Sequence, residues 1–550
     1  MEGKRCSMYI KKIFQILFLT GITALAMPVA ASAASNGQIW VNGENIVQAE
    51  EHKVACGTGS ASYDPQTKTL TLENAVITQG NSYKRGIDLP SDIDLNIVLT
   101  GNNYITGEEV LSDDGVGQGI YADGNIKISG TGTLTTVTNL DALKAMGNVE
   151  IDGVALDLTV NKDYFAIHAN GGDVTIQNNA VVKAENQKGT MAGALIAGWN
   201  SVNIESSKIN AVSSCESVIQ SGNGSVNITD SQVELEQKDI GGTIYAGNEI
   251  AISGENTEVT ATCGANTKMA NMYAYNGISI QSGTVKSISG NNGLYTDNTL
   301  EISEAANVTV ESANTGYTGM QAAEMTINSK NVTISGGTRA INVFDGIINL
   351  NVPAWASVNA DRTSMEKFSA EEFTVYKWIS TKPIYLSEVT DVVWDTSERG
   401  KVSWSKVDCA AGYELQLYKD GIEEENKVGN AVNVTEGTTY NFNQSIVEAG
   451  TYYFTVKALG EEGYSFDSDI TKSNSCEFAA MPVKPVPPAE TDQPDKTVKP
   501  ADYTKTDKGQ EIPKTGDNTT PEIWIAILGI SGFVGVCILL GNRAGNRKKL

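Results

Sequence analysis

The sequence predicts an all-β protein in which a parallel β-helix, or solenoid, precedes a small β-sandwich. Three observations carry this. A short motif recurs at steps of roughly 20–28 residues through the middle of the chain. Within each copy, apolar and polar residues alternate with a period of two and β-branched residues dominate, as in Gly124-Asn-Ile-Lys-Ile-Ser and Gly172-Asp-Val-Thr-Ile-Gln. From about Leu386 the copies stop while longer alternating strands continue. No run carries the period of an amphipathic helix, and leucine-rich-repeat spacing is absent, so a helical or leucine-rich solenoid is excluded.

Taken in order, the chain opens with Lys4, Arg5, Lys11 and Lys12 before an apolar stretch from Ile13 to about Ala26. Ala31-Ser32-Ala33-Ala34 follows as a small-residue cleavage site, so residues 1–34 read as a signal peptide. Residues 35–85 are the expected N-terminal β cap, because the end coil of a solenoid leaves an unpaired edge. Ile39-Trp-Val-Asn-Gly and Ala61-Ser-Tyr-Asp-Pro-Gln-Thr-Lys-Thr-Leu-Thr-Leu72 supply its strands, with Asp64-Pro65 as a turn.

Residues 86–360 are the predicted β-helix. Gly119-Ile-Tyr-Ala-Asp-Gly-Asn-Ile-Lys-Ile128 and Ala142-Leu-Lys-Ala-Met-Gly-Asn-Val-Glu-Ile151 show the repeat most plainly. About eleven coils stacked at ~4.8 Å would make a rod roughly 50 Å long. Aligning the copies gives one inward column of Ile120, Leu143, Ile167, Leu195, Val218, Ile244, Met272, Leu294 and Met320. A second column, two places on, holds Ala122, Ala145, Ala169, Ala197, Gln220, Ala246, Ala274, Thr296 and Ala322. The position between must point outward: Tyr121, Lys144, His168, Ile196, Ile219, Tyr245, Tyr273, Tyr295 and Gln321. Residues 361–387 are the expected C-terminal cap and connection.

Residues 388–480 form the second unit. Lys401-Val-Ser-Trp-Ser405, Tyr413-Glu-Leu-Gln-Leu-Tyr418 and Thr451-Tyr-Tyr-Phe-Thr-Val-Lys-Ala458 alternate, with Tyr452, Phe454, Val456 and Ala458 on one face and Trp404 as the large core residue. This pattern resembles a fibronectin type III-like sandwich, which implies a spacer between surface and functional domain ahead of the other reading, a binding module in its own right. Residues 481–511, rich in Pro, Lys, Asp and Thr, read as a linker able to reach about 100 Å as polyproline II.

At the C-terminus, Ile512-Pro513-Lys514-Thr515-Gly516 precedes the apolar run Ile523–Leu540 and a tail with Arg543, Arg547, Lys548 and Lys549. The run is just long enough to cross a bilayer, and the basic tail would halt export. The arrangement resembles the cell-wall sorting signal of Gram-positive surface proteins, with Ile for the more usual Leu. The resemblance implies that a sortase attacks the Thr515 carbonyl, releases Gly516 onward and passes Thr515 to a peptidoglycan precursor. The expected product is secreted, held at the wall, and in the membrane only before sorting. The IWVNG, SYDPQTKTLTL and GIYADGNIKISG segments resemble surface β-helix domains called carbohydrate-binding-domain proteins. That likeness, over about residues 37–360, implies fold strongly and ligand weakly.

Composition narrows the function. The formal charge is −25; residues 1–33 carry +3 and residues 516–550 carry +2, leaving −30 between. Such a surface repels phosphate backbones, so nucleic acid is not an expected partner, while polysaccharide or host glycan is compatible. Cys56, Cys215, Cys263, Cys409 and Cys476 make no disulfide framework or zinc spacing and read as small buried hydrophobes. His52 and His168 are the sole histidines, which argues against histidine catalysis and histidine-ligated metal.

The candidate ligand residues are Tyr121, Tyr245, Tyr273 and Tyr295, whose rings could cover sugar faces. The competing reading is that stacked tyrosines merely brace a β wall. Asp88, Asp92, Asp94, Asp113 and Asp114 are read as solvated charge, with Asp113 and Asp114 beside Gly115 as the best calcium candidates. No cofactor is expected. Arg85, Arg339 and Arg362 are dispersed in sequence and no carboxylate-pair signature occurs, so a binding or adhesion protein is expected ahead of a β-helix polysaccharide lyase or glycoside hydrolase. A purely structural stalk is the third reading.

Overall fold

The computed structural model describes residues 38–89, 94–107, 116–162, 164–186, 194–214, 216–362 and 364–482. The signal peptide, the linker beyond Pro482, the sorting signal with its span Ile523–Leu540, and Asp92, Asp113, Asp114 and Cys215 lie outside the described residues. Among the described residues no helix is long and apolar enough to cross a membrane.

The chain is all-β, with a solenoid of about ten turns and two short 3-10 segments among the described residues. A typical turn has three strands, such as Gln118–Ala122, Ile126–Gly130 and Thr133–Thr138. Each pairs in parallel with its counterpart one turn on: Ile120 with Leu143, Ile128 with Ile151, and Leu134 with Leu156. Identical parity in every turn stacks like on like. Ile128, Ile151, Ile176, Ile204, Ile228, Ile252, Ile280, Ile302 and Ile327 make one buried column. Burying each such side chain contributes about 1.5–3 kcal/mol, which drives the alternating sequence into this register.

Corners are held by polar side chains that run from turn to turn. The Asn125 Oδ1 accepts the Asn148 N–H (2.7 Å), the Asn148 Oδ1 that of Asp173 (2.8 Å), and the Asp173 Oδ1 that of Ser201 (2.8 Å). Each satisfies a backbone donor that the bend removes from the strand ladder. Gly130, at φ +113, closes another corner, where a Cβ would lie 2.4 Å from the Leu99 oxygen.

Two turns correct the predicted columns. Ile167 pairs with Ile196 and His168 with Ala197; Ile219 pairs with Ile244 and Gln220 with Tyr245. Ile196 and Ile219 therefore point inward, while Ala197 and Gln220 take the outward position. Ala194–Gly198 and Ser217–Ser221 are buried throughout. With apolar residues at both parities, alternation could not choose between registers one residue apart.

Both solenoid ends are covered. Trp40–Val41 runs antiparallel to Arg85–Leu89, and the hairpin Gly59–Asp64 with Thr69–Glu73 feeds Thr69–Glu73 in parallel onto Leu95–Thr100. Asp64 accepts the Gln66 N–H and the Thr67 hydroxyl in the hairpin turn (2.8 and 2.9 Å). At the far end Trp378–Ser380 lies antiparallel on Val332–Gly336.

Beyond it, a three-stranded and a five-stranded sheet enclose a separate core of Val402, Trp404, Leu415, Leu417, Phe442, Phe454 and Val456. Tyr452, Phe454, Val456 and Ala458 all face that core. The Trp355 indole N–H donates to the Tyr464 carbonyl (2.7 Å), and Lys367 pairs with Glu461 (2.6 Å), tying the solenoid end to residues just past Leu459. Cys476–Phe478 pairs with the other end of the strand Gly450–Leu459, at Gly450–Tyr452, and Met481 bonds to Val447. A ten-residue strand, about 30 Å long, thus separates the solenoid contacts from the chain's exit. Cys56 and Cys263 are buried as expected, whereas Cys409 and Cys476 are half-buried; all four are free thiols.

Candidate functional site

The outward column of the first strand in each turn is Asp88, Tyr121, Lys144, His168, Ala197, Gln220, Tyr245, Tyr273, Tyr295, Gln321 and Asn342. Ile244, Met272 and Leu294 on one side and Ala246, Ala274 and Thr296 on the other are buried, which forces the three intervening tyrosines out. Tyr245 and Tyr273 stack at 5.4 Å and 26°, and Tyr273 and Tyr295 at 5.2 Å and 28°. Phe344, 45% exposed, meets Tyr295 edge-on at 6.2 Å and extends the stripe toward the C-terminal end.

Rings at these separations shingle, each covering part of its neighbour's face. The stripe consequently presents ring edges and oxygens rather than three open platforms. The Tyr273 and Tyr295 hydroxyls both donate to Asp297, to Oδ2 at 2.8 Å and Oδ1 at 3.0 Å. Burial first, then the nearby Asp297, pushes the Tyr273 phenol well above its usual range, so it stays protonated. Burial also raises Tyr245, with further contributions from the Glu216 and Asp297 charges, and burial raises the Glu216 carboxyl.

Tyr121 is not part of this group, since Lys144, His168, Ala197 and Gln220 stand between it and Tyr245. Its ring lies under the Arg85 guanidinium (3.4 Å), and its hydroxyl donates to Asp123 (2.6 Å). Burial and Asp123 push that phenol up to about 12.

Around Tyr121 the sequence reading needs correcting. Asp88, expected to be solvated, is fully buried; Arg85 Nη1 bonds to it at 2.8 Å and Asn81 donates to its other oxygen. The Gln118 side chain accepts from Arg85 (3.2 Å) and donates to buried Asp141 (3.3 Å), which also pairs with Lys144 (3.3 Å) and takes the Phe165 N–H (3.1 Å). Burial outweighs these partners and raises both the Asp88 and Asp141 carboxyls. His168 stacks on Phe165 at 4.0 Å; its Nδ1 is buried without a hydrogen-bond partner, and burial, with Lys144, pushes its pKa down to about 3. Asp94 does sit at an exposed corner, accepting from the Asn125 side chain (2.6 Å).

Alignment of single columns hid this cluster because Arg85, Gln118 and Asp141 stand three places before the outward position. A legible signal for the acids did exist. Tyr-x-Asp occurs at Tyr121-Ala-Asp123 and Tyr295-Thr-Asp297, and period two puts both side chains on one face. Glu216 and Phe344 carried no such mark.

Among the described residues no group of three or more His, Cys, Asp or Glu could hold a metal ion; the calcium candidates Asp113 and Asp114 lie outside them. Arg85 is committed to Asp88 and Tyr121, whereas Arg339 lies at the opposite end of the stripe, donating to Asn342 (3.3 Å). The backbones of Glu216 and Asp297, the acids flanking the tyrosines, are three turns apart, about 14 Å along the axis at ~4.8 Å per turn, with the Asp297 carboxylate reaching back one turn to Tyr273. Carboxylate pairs that hydrolyse glycosides stand about 5–9.5 Å apart. Comparison of the chain with protein-family models, curated proteins and solved structures returned no match.

Proposed function

We propose that this chain is a cell-wall-anchored surface protein whose solenoid binds polysaccharide or host glycan in an adhesive role. The observation that carries the binding reading is the continuous stripe Tyr245, Tyr273, Tyr295 and Phe344, with Asp297 along its edge. It combines apolar edges with hydrogen-bond acceptors in a row, which suits an extended sugar chain. Anchoring is read from the order of pentapeptide, apolar run and basic tail in residues 512–550, with a sortase and a peptidoglycan precursor as partners.

We read the C-terminal two-sheet unit as a fibronectin type III-like spacer. Its solenoid contacts at Glu461 and Tyr464 and its exit near Val447 lie at opposite ends, which suits an element placed in series. That same arrangement is the observation favouring the second reading, a structural stalk without ligand. A polysaccharide-degrading activity has less support, given the separation of Glu216 from Asp297.

The test is a glycan array on the secreted chain with product release assayed on every hit, repeated after replacing Tyr245, Tyr273 and Tyr295 by Ala. Binding without product, lost in the triple variant, is the expected result. Unchanged binding by a folded triple variant would move the site elsewhere, and product release would restore the enzyme reading.

A further inference from the structure

The tyrosine stripe differs from a neutral sugar platform in its hydrogen-bond polarity. Two phenol hydrogens are already directed to Asp297, so the Tyr273 and Tyr295 oxygens turn lone pairs, not protons, toward a ligand. Asp297 accepts and does not donate. The outward column from Ala197 to Gln321 contains no Lys or Arg. The cations flanking this stretch are Lys144, ion-paired with Asp141, and Arg339, which stands three places before Asn342 and bonds to its amide oxygen. Glu216 adds a second acid near Tyr245, where both carboxylates act on the phenol. The whole chain is acidic, at −25.

An anionic sugar would bring its charge against Asp297 and Glu216, with no Lys or Arg in the column from Ala197 to Gln321 to receive it. A protonated amine finds a carboxylate and phenol lone pairs at once. We infer that the stripe takes an amine-bearing glycan, with the amino group held at Asp297 and the Tyr273 and Tyr295 oxygens. The inference rests on the glycan-binding reading above and adds the chemical class of the ligand.

The probes are three extended six-sugar chains: fully deacetylated chitosan, its N-acetylated counterpart and oligogalacturonate. Calorimetry on the full chain in detergent, near pH 6 and at low salt, measures each. The amine-bearing chain should bind about tenfold more tightly than the acetylated one, with no binding of the uronate. Asp297→Asn should reduce that preference to within about twofold while the melting temperature falls by only a few degrees, since one phenol keeps the amide oxygen as acceptor and the other phenol oxygen can accept from the amide N–H. Tighter or equal binding of the acetylated chain, or any binding of the uronate, overturns the amine assignment and leaves glycan binding standing. Preference that survives Asp297→Asn overturns the placement at Asp297. If none of the three binds, the amine assignment falls, and the array described above decides the glycan reading.

Discussion

The two halves of one outward column treat charge in opposite ways. In the N-terminal half, Arg85, Asp88, Gln118, Asp141 and Lys144 bond mainly to one another, and Tyr121 lies beneath the guanidinium. In the C-terminal half, three tyrosines share one carboxylate, and no cation of the column stands among them. Parallel pairing and the parity of this column are the same in both. The difference teaches that a dense cluster of ionisable groups on a solenoid can be satisfied internally, while a sparser stripe turns phenol oxygens outward.

The largest effect should come from breaking the satisfied half. Arg85→Met leaves buried Asp88 without its cation and should cost about 3–5 kcal/mol in urea unfolding. A loss below about 1 kcal/mol would mean that Asp88 is not held by Arg85, and the contrast between the halves would fail. The tyrosine half should be softer. Tyr273→Ala removes two stacked contacts and one hydroxyl, for about 1–3 kcal/mol, whereas Tyr273→Phe keeps the ring and should cost under about 1 kcal/mol. Equal losses for the two would show that the hydroxyl, not the stacking, braces this wall.

The smallest effect at neutral pH belongs to His168. Its imidazole is held near a pKa of about 3 in the folded chain, against about 6.5 unfolded, so the unfolded chain binds more protons between those values. Its contribution to stability is complete at neutral pH and is lost as pH falls through that window. The raised carboxyls of Asp88, Asp141 and Glu216 act with the reverse sign, favouring the folded state at low pH and losing that contribution as pH rises through their folded values. His168→Phe should therefore change stability by less than about 1 kcal/mol at pH 7 and should flatten the acid-side loss followed by fluorescence. A slope unchanged from the parent would assign the acid sensitivity elsewhere.

Much of the solenoid could be read from residues alone. Period-two alternation with Ile, Val and Leu at one parity leaves no other way to bury a continuous core, and Tyr245, Tyr273 and Tyr295 fall on one face by the same logic. The reading failed where the pattern lost contrast. Ala194-Leu-Ile-Ala and Ser217-Val-Ile-Gln are apolar at both parities, and their true register appeared only when neighbouring turns set it. Arg85 and Asp141 escaped because each meets its partner, Asp88 or Lys144, from three places earlier in the same turn, and only Gln118 of the turn between joins the two pairs.

By itself, then, the sequence determined the class of fold, the inward columns of most turns and the tyrosine row, because parity in a strand is a local property. Tertiary structure alone decided that Asp88 and Asp141 are buried with partners, that Asp297 joins two hydroxyls, and that Phe344 closes the stripe. Those outcomes depend on which turn lies next to which and on how rings and charges pack between them, and stacking geometry carries that information where local alternation cannot.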